Sequence, residues 1–158
     1  MADLSAVYTL STSGGNVSFN NGTLGFGSDD DLYWIATING LDGPTIRTVI
    51  DDVPFGHGGL VHRFWKGPRH VVLEGSLVVQ SVPFGNSQCQ EILNGMEDDL
   101  NAALNSILQS DGTLAWTPAG GSPHSLSVRY EVPLDIQPQE NYVIRSFSFG
   151  LVSASADI

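Results

Sequence analysis

The chain has 158 residues, of which 41% are apolar and 15% charged, and its 6 basic and 17 acidic side chains give a formal net charge of −11. This length and apolar content favour a single folded domain, which we expect to span residues 1–158. The negative charge argues against nucleic-acid binding, which depends on neutralising phosphates. No run is apolar enough for a membrane span, and residues 1–30 lack the pattern of a signal peptide.

The N-terminal part of the chain is the least regular. Residues 11–31 are rich in Gly, Ser and Asn and end in three consecutive aspartates. Such clusters are typical of loops, so we expect residues 1–31 to form a loop-rich segment around short strands such as 16–19.

Three strands are predicted next. Residues 32–38 and 45–50 are rich in the aromatic and β-branched residues that strands favour. In residues 71–79 the apolar side chains Val71, Leu73, Leu77 and Val79 recur at even spacing, which predicts a strand with one buried face.

One segment has the period of a helix. Apolar residues recur every three or four positions, while acidic and amide residues fall on the other side, which predicts an amphipathic helix over residues 88–109. The residues expected to pack on a sheet are Ile92, Met96, Leu100, Leu104 and Ile107.

Two strong strands follow the helix. In residues 126–136 every even position is apolar and every odd position is polar or proline, and residues 147–151 alternate in the same way. Pro133 cannot donate a ladder hydrogen bond, so we expect an edge or a bulge there. Strands on both sides of one helix predict a mainly β, layered fold in which the helix covers one sheet.

No arrangement of residues indicates catalysis, a cofactor or a metal. The four histidines lack metal-site spacing, since His57 and His62 are five positions apart. The chain has no Gly-x-Ser-x-Gly nucleophile elbow and no phosphate-binding loop. A calcium loop beginning at Asp29 would have Gly40 in place of its bidentate Glu. We therefore expect a protein that is not an enzyme and has no catalytic, cofactor-binding or metal-ligating residues.

The basic residues are clustered. Arg63, Lys66 and Arg69 are half of the six basic residues and lie within seven positions, with Phe64 and Trp65 between them. Arg and Trp are over-represented at interface hot spots, and an acidic second copy would supply the complementary charge. An ordinary solvated loop with a half-buried tryptophan is the alternative.

We predict that residues 55–69 form an extended loop or hairpin arm that contacts a neighbouring subunit. The interface residues of this hypothesis are Phe55, Arg63, Phe64, Trp65, Lys66 and Arg69.

The order of these segments resembles a known family. A strand leads through INGLDGP at residues 38–44 to a Gly-rich loop, and GPRHVVLEG at residues 67–75 has an Arg, apolar, Glu-Gly order. The helix, the alternating strand and an apolar closing strand at residues 145–151 follow. Over roughly residues 32–156, this order is similar to the N-terminal, ring-forming domain of the distal tail (Dit) proteins of long-tailed bacterial viruses.

The resemblance implies a β-sandwich flanked by one α-helix, akin to tail-tube proteins. It also implies a structural virion protein, made in the host cytoplasm, that forms a hexameric ring at the tail tip. Its partners would be further copies of itself, the tail-tube protein and the tail-tip or baseplate hub proteins, with DNA only passing through the channel. Many members carry a second, lectin-like C-terminal domain, which we expect this chain to lack because it ends at Ile158.

Two other functions stay open. The tail-tube protein itself shares the fold. A carbohydrate-binding β-sandwich is the other alternative, because Trp34, Trp65 and Trp116 have the side chains that stack on sugars, although core packing explains them more simply.

Overall fold

A computed structural model describes residues 4–22, 31–42, 46–52, 59–82, 87–138 and 143–153. The helices and strands in these ranges are, in chain order, β1 Tyr8–Thr12, β2 Gly15–Phe19, β3 Leu32–Asn39, β4 Ile46–Asp52, β5 Gly59–Lys66, β6 Arg69–Val78, α1 Ser87–Ser106, β7 Gly112–Trp116, β8 His124–Pro138 and β9 Ile144–Ser153. No helix in the described ranges is both long enough and apolar enough to cross a membrane.

Seven of the strands form a closed barrel in the order β1-β2-β3-β6-β9-β8-β7. Neighbouring strands are antiparallel, except that β2 meets β3 in parallel at the pair Phe19 and Tyr33. Pairing of β1 with β7 closes the barrel. The expectation of a β-sandwich was therefore wrong, whereas a mainly β fold with a helix is what the structure shows.

The long strand β8 contributes to the barrel by pairing with two neighbours. Its first part, from His124 to Val128, pairs with β7, and its second part, from Arg129 to Pro138, pairs with β9. One continuous strand thus joins two portions of sheet that would be separate layers in a sandwich. Alternating apolar residues point inward in both architectures, so the alternation alone does not distinguish them.

The region around Pro133 is irregular, as its sequence predicted. The register of β8 against β9 shifts between Tyr130 and Val132 and again between Val132 and Asp135. The backbone N–H of Leu134 donates to the Tyr130 hydroxyl instead of to a neighbouring strand. Pro133 therefore lies where the hydrogen-bond ladder is interrupted, so its missing N–H costs no ladder hydrogen bond.

The barrel interior contains the alternating residues of the predicted strands. Val71, Leu73 and Leu77 of β6 are completely buried, and Phe147, Phe149 and Leu151 of β9 are at most 3% exposed. Phe19 places its ring about 6 Å from the rings of both β9 phenylalanines, at 6.0 and 6.1 Å. These aromatic contacts join β2 to β9 across the interior, so the core is continuous from one side of the barrel to the other.

Helix α1 packs on β1, β2, β6 and β8. Of the five residues predicted to face a sheet, Met96, Leu100 and Leu104 are buried in the helix and Ile107 is buried just after it. Ile92 is only half-buried, and its neighbour Leu93 lies in the core instead. The helix ends at Ser106, three residues earlier than predicted.

The N-terminal segment is more regular than its composition suggested. Strands β1 and β2 form a hairpin, and both belong to the barrel. Its turn is built by Thr12, whose hydroxyl donates to the Gly15 carbonyl and accepts from the Gly14 N–H. Ser13 and Gly14, which belong to the predicted loop, therefore form one tight turn between two short strands.

In the Glu-Gly pair at residues 74–75, the structure requires the glycine. The register of β3 against β6 shifts between Ile35 and Thr37, and Gly75 pairs with Ile35 beside that bulge. A Cβ atom on Gly75 would lie 1.8 Å from the Trp34 carbonyl oxygen, so only glycine fits.

Candidate subunit interface

Strands β4 and β5 form a hairpin that is a separate two-stranded sheet. It is inserted between β3 and β6, which are neighbours in the barrel, so the chain leaves one barrel strand and returns into the next. At about 3.3 Å per residue, its eight-residue strand β5 is roughly 25 Å long. The predicted arm, residues 55–69, overlaps the second strand of this hairpin, whose first strand begins at Ile46, and its contact with a neighbouring subunit stays a prediction.

Four of the six predicted interface residues lie next to one another on β5. Along the hairpin backbone, Arg63, Phe64 and Trp65 pair with Val49, Thr48 and Arg47. Lys66 follows and pairs with Ile46. Phe55 lies outside the described residues. The structure therefore places the central part of the predicted arm in one strand.

Arg69 is not grouped with the other predicted residues. It is the first residue of β6, is 3% exposed, and its Nη1 donates to the Leu41 carbonyl at 3.2 Å. Leu41 precedes the hairpin and Arg69 follows it, so this contact joins its two ends. The guanidinium of Arg69 is engaged inside the subunit, at the base of the hairpin.

Gly40 also lies at the base of the hairpin, next to Leu41 and close to the start of β6. Its φ of +92° is one that glycine adopts without strain. A Cβ atom at this position would lie 1.8 Å from the His70 carbonyl oxygen. The end of β3 thus approaches the start of β6 very closely, and the hairpin begins from a tightly packed point.

Arg129 and Arg145 are also engaged within the chain. Arg145 Nη1 lies 2.6 Å from Glu97 Oε2 and 2.8 Å from Asn94 Oδ1, which ties β9 to α1. Arg129 Nε lies 2.6 Å from Asp111 Oδ1 at the surface. The three remaining basic residues, Arg47, Arg63 and Lys66, are all on the hairpin.

Sequence reasoning missed Arg47. It is separated from Arg63 by more than a dozen residues, so no local cluster signals it. The strand register brings it opposite Trp65, one pair away from Lys66. The basic residues of the hairpin are therefore Arg47, Arg63 and Lys66, and Arg69 lies outside it.

Helix α1 carries the opposite charge. It contains Glu91, Glu97, Asp98 and Asp99 and no Lys or Arg. Glu91, Asp98 and Asp99 are exposed, while Glu97 is paired with Arg145. The exposed side of α1 is thus an acidic face, and it lies on an element distinct from the hairpin.

Tyr33 anchors the helix to the barrel. Its hydroxyl donates to the Met96 carbonyl at 3.0 Å. Burial, together with the negative charge of nearby Asp99, raises the pKa of Tyr33 to about 12. The phenol therefore stays protonated, and able to donate, far above neutral pH.

The described residues were compared with the metal-site expectation from the sequence. No group of three or more His, Cys, Asp or Glu in those ranges could hold a metal ion. A groove of about 510 Å³ lies over β1 and β7, and His124 is the only titratable side chain among the described residues that line it. His57 and the aspartates at 29–30 lie outside the described residues.

Comparison with known proteins gives a structural match only. No family model matches the chain, and no curated protein matches it. The crystal structure of the SPP1 Dit (gp 19.1) protein, described as a paradigm of hub adsorption apparatus in phages that infect Gram-positive bacteria, matches with a TM-score of 0.56 and 9% sequence identity. The match covers 95% of this chain and 51% of that chain, so this chain spans about half the length of the SPP1 protein.

At this identity the likeness shows the fold alone: the chain has a distant Dit-like fold. The structural match covers 95% of this chain, which is more than residues 32–156 alone would account for. The structural likeness therefore extends into the N-terminal segment, which the sequence motifs did not cover.

Proposed function

We propose that the protein is a structural subunit of a phage tail, which forms a ring at the distal end and joins the tail tube to tip or baseplate proteins. The single observation that carries the proposal is the fold likeness to the SPP1 Dit protein, which is described as part of a hub adsorption apparatus. The proposal makes the chain a single distal-tail-like domain and a component of the virion.

The hairpin supports assembly into a ring. A closed ring needs heterologous contacts, in which one patch of a subunit meets a different patch of the next. A two-stranded hairpin is at best marginally stable alone in water, so a second surface is expected to cover β4 and β5. In this proposal the hairpin is the arm, with Phe64 and Trp65 as anchors and Arg63 and Lys66 as its charged part.

The charge distribution supports the choice of a second copy as the partner. The chain as a whole is −11, yet half of its basic residues lie on the hairpin. The acidic face of α1 on the adjacent subunit is the complementary surface we favour. Such charge pairs would chiefly set register and encounter rate, while the aromatic residues supply most of the affinity.

The net charge also suits a ring through which DNA passes. An excess of carboxylates repels phosphate, so DNA would cross the channel without adhering to its wall. In this proposal the protein has no specific nucleic-acid site.

Two measurements test the proposal. Native mass spectrometry and electron microscopy of the purified protein are expected to show rings of six copies of the 16.9 kDa chain. Antibody labelling of purified virions should then mark a single position at the tail tip. Labelling along the whole tail would identify the tail-tube protein instead, and absence from the tail would contradict both functions.

Of the three tryptophans that suggested the carbohydrate-binding alternative, Trp116 gives it no support. Trp116 is 7% exposed, and its ring stacks on Tyr8 with centroids 5.9 Å apart, so it belongs to the core. Trp34 is half-buried on β3. A glycan array without binding would remove this alternative.

A further inference from the structure

The chain contains three Asn-Gly pairs, at residues 21–22, 39–40 and 94–95. In such a pair the backbone nitrogen of the glycine can attack the side-chain amide of the asparagine, because glycine has no Cβ to block the approach. The attack needs freedom of the backbone around both residues. Local structure therefore decides which pair reacts.

Two of the pairs are held by the fold. Asn94 and Gly95 lie inside α1, and Asn94 Oδ1 accepts a hydrogen bond from Arg145 at 2.8 Å. Asn39 is the last residue of β3 and pairs with Val72, while Gly40 is packed against the backbone of β6. Both asparagines are exposed, so exposure alone does not distinguish them from Asn21.

The pair at 21–22 differs in its backbone. Asn21 and Gly22 follow the end of β2, belong to neither a helix nor a strand, and are both exposed. Gly22 has a φ of +154°, which glycine adopts without strain. No ladder of helix or strand restrains this pair.

We propose that Asn21 is a site of spontaneous deamidation, in which the Gly22 nitrogen is the nucleophile and water is the co-reactant. Hydroxide removes the Gly22 N–H proton, a bond forms between this nitrogen and Asn21 Cγ, and the Cγ–Nδ2 bond breaks. The leaving nitrogen takes a proton and departs as ammonia. Water then opens the resulting succinimide at either carbonyl, giving aspartate or isoaspartate.

No oxidation or reduction is involved: one water enters and one ammonia leaves. Each event adds one negative charge to the chain's −11. The inference is independent of the proposed function, since it depends only on the local structure.

The neighbouring residue Asn20 is held to the barrel by side-chain hydrogen bonds, whereas Asn21 lies beyond them. Asn20 is 6% exposed, accepts from the Ile35 N–H at 2.8 Å, and donates through Nδ2 to the Leu4 carbonyl at 3.0 Å. These bonds hold the chain up to residue 20. The barrel is therefore expected to stay folded after Asn21 has reacted, with an unchanged unfolding temperature.

The test compares the three pairs within one protein. The folded protein and the urea-unfolded protein are incubated in mildly alkaline buffer, and the peptides containing each pair are quantified by mass spectrometry. Asn21 should react at similar rates in both states. Asn39 and Asn94 should react at least about tenfold more slowly in the folded protein, because they react only when the strand or helix opens.

A matched variant completes the test. Asn21→Gln cannot close a five-membered ring, so the acidic species seen on isoelectric focusing of aged wild-type protein should be absent from it. If Asn21 reacts no faster than Asn94 in the folded protein, or if the same acidic species forms in Asn21→Gln, the inference is wrong.

Discussion

Arg69 shows how burial changes the role that a charged residue can have. Its position beside Phe64, Trp65 and Lys66 in the sequence suggested a surface contact, but its guanidinium lies in the interior and donates to the Leu41 carbonyl. A buried carbonyl that loses its donor keeps the cost of desolvation. Arg69 is thus expected to stabilise the subunit itself.

Replacement of Arg69 by Ala should therefore lower the free energy of unfolding by about 1–3 kcal/mol. Arg129→Ala is the control, because Arg129 and Asp111 form an exposed pair with side chains 51% and 61% accessible, and such pairs contribute roughly 0–1 kcal/mol. Urea denaturation measures both variants. Equal losses would show that Arg69 has no special structural role.

Tyr33 gives a prediction for alkaline pH. Its pKa is raised from 10.0 to about 12 by burial and by Asp99, so the unfolded chain loses this proton before the folded chain does. The stability that depends on protonated Tyr33 is therefore complete below about pH 10 and is lost as the pH rises towards 12.

Comparison of the wild type with Tyr33→Phe isolates this group. Between pH 10 and 12 the urea midpoint of the wild type should fall more steeply than that of the variant. The difference between their ultraviolet absorbance titrations should show one tyrosine that ionises near pH 12. Parallel midpoints in the two proteins would contradict the prediction.

At the scale of elements, substitutions in α1 test whether the spacing of apolar residues in the sequence identifies the buried face of the helix. Leu100 is completely buried in α1, so Leu100→Ala should lower the free energy of unfolding by roughly 2–5 kcal/mol. Asn105 lies on the exposed side of the same helix, and Asn105→Ala should change it little. Similar losses in thermal or urea unfolding at the two positions would mean that the helix faces are misplaced.

The hairpin gives a prediction about assembly. Because Arg69 belongs to the subunit interior, the charge reversal is confined to Arg63→Glu and Lys66→Glu. The double variant should keep the circular dichroism spectrum of the parent but fail to form rings, since it would face acidic neighbours. Arg129→Glu, a charge reversal outside the hairpin, should still assemble. Normal rings from the double variant would exclude these charges from the interface.

Compensating charge changes test whether the acidic face of α1 on the neighbouring subunit contacts the hairpin. If the acidic face of α1 meets the hairpin, adding Glu91→Lys and Asp98→Lys to the double variant should restore rings by re-pairing opposite charges. Trp65→Ala should also fold yet fail to assemble. A Trp65→Ala chain that does not fold would assign this tryptophan to the subunit's own core.

At the scale of the whole molecule, we expect the fold to need no bound ion. The apolar interior extends from β2 to β9 and is covered by α1, which is sufficient to stabilise a domain of this size. Thermal unfolding should therefore be the same with and without a strong chelator. A fall of several degrees on chelation would reveal a metal that stabilises the folded state by mass action.

Periodicity predicted most of the strands and the helix because each depends on short-range order along the chain. Strands β6 and β9 have the alternation of a half-buried strand, and Met96, Leu100 and Leu104 have the spacing of one helix face. The hairpin β1–β2 was predicted less well, because its Ser, Thr and Gly residues are typical of loops. These residues form strands here because β1 pairs with β7 and β2 pairs with β3, which are distant in the sequence or separated by a loop.

The sequence by itself determined a mainly β fold with one amphipathic helix, the irregular ladder at Pro133, and the order of segments that resembles distal tail proteins. Only the tertiary structure decided that the sheet closes, because closure depends on β8 pairing with both β7 and β9 and on β1 pairing with β7. It also decided the environment of each charge. Arg69 is buried and Arg47 lies opposite Trp65 because strand register, which short-range patterns do not specify, brings distant residues together.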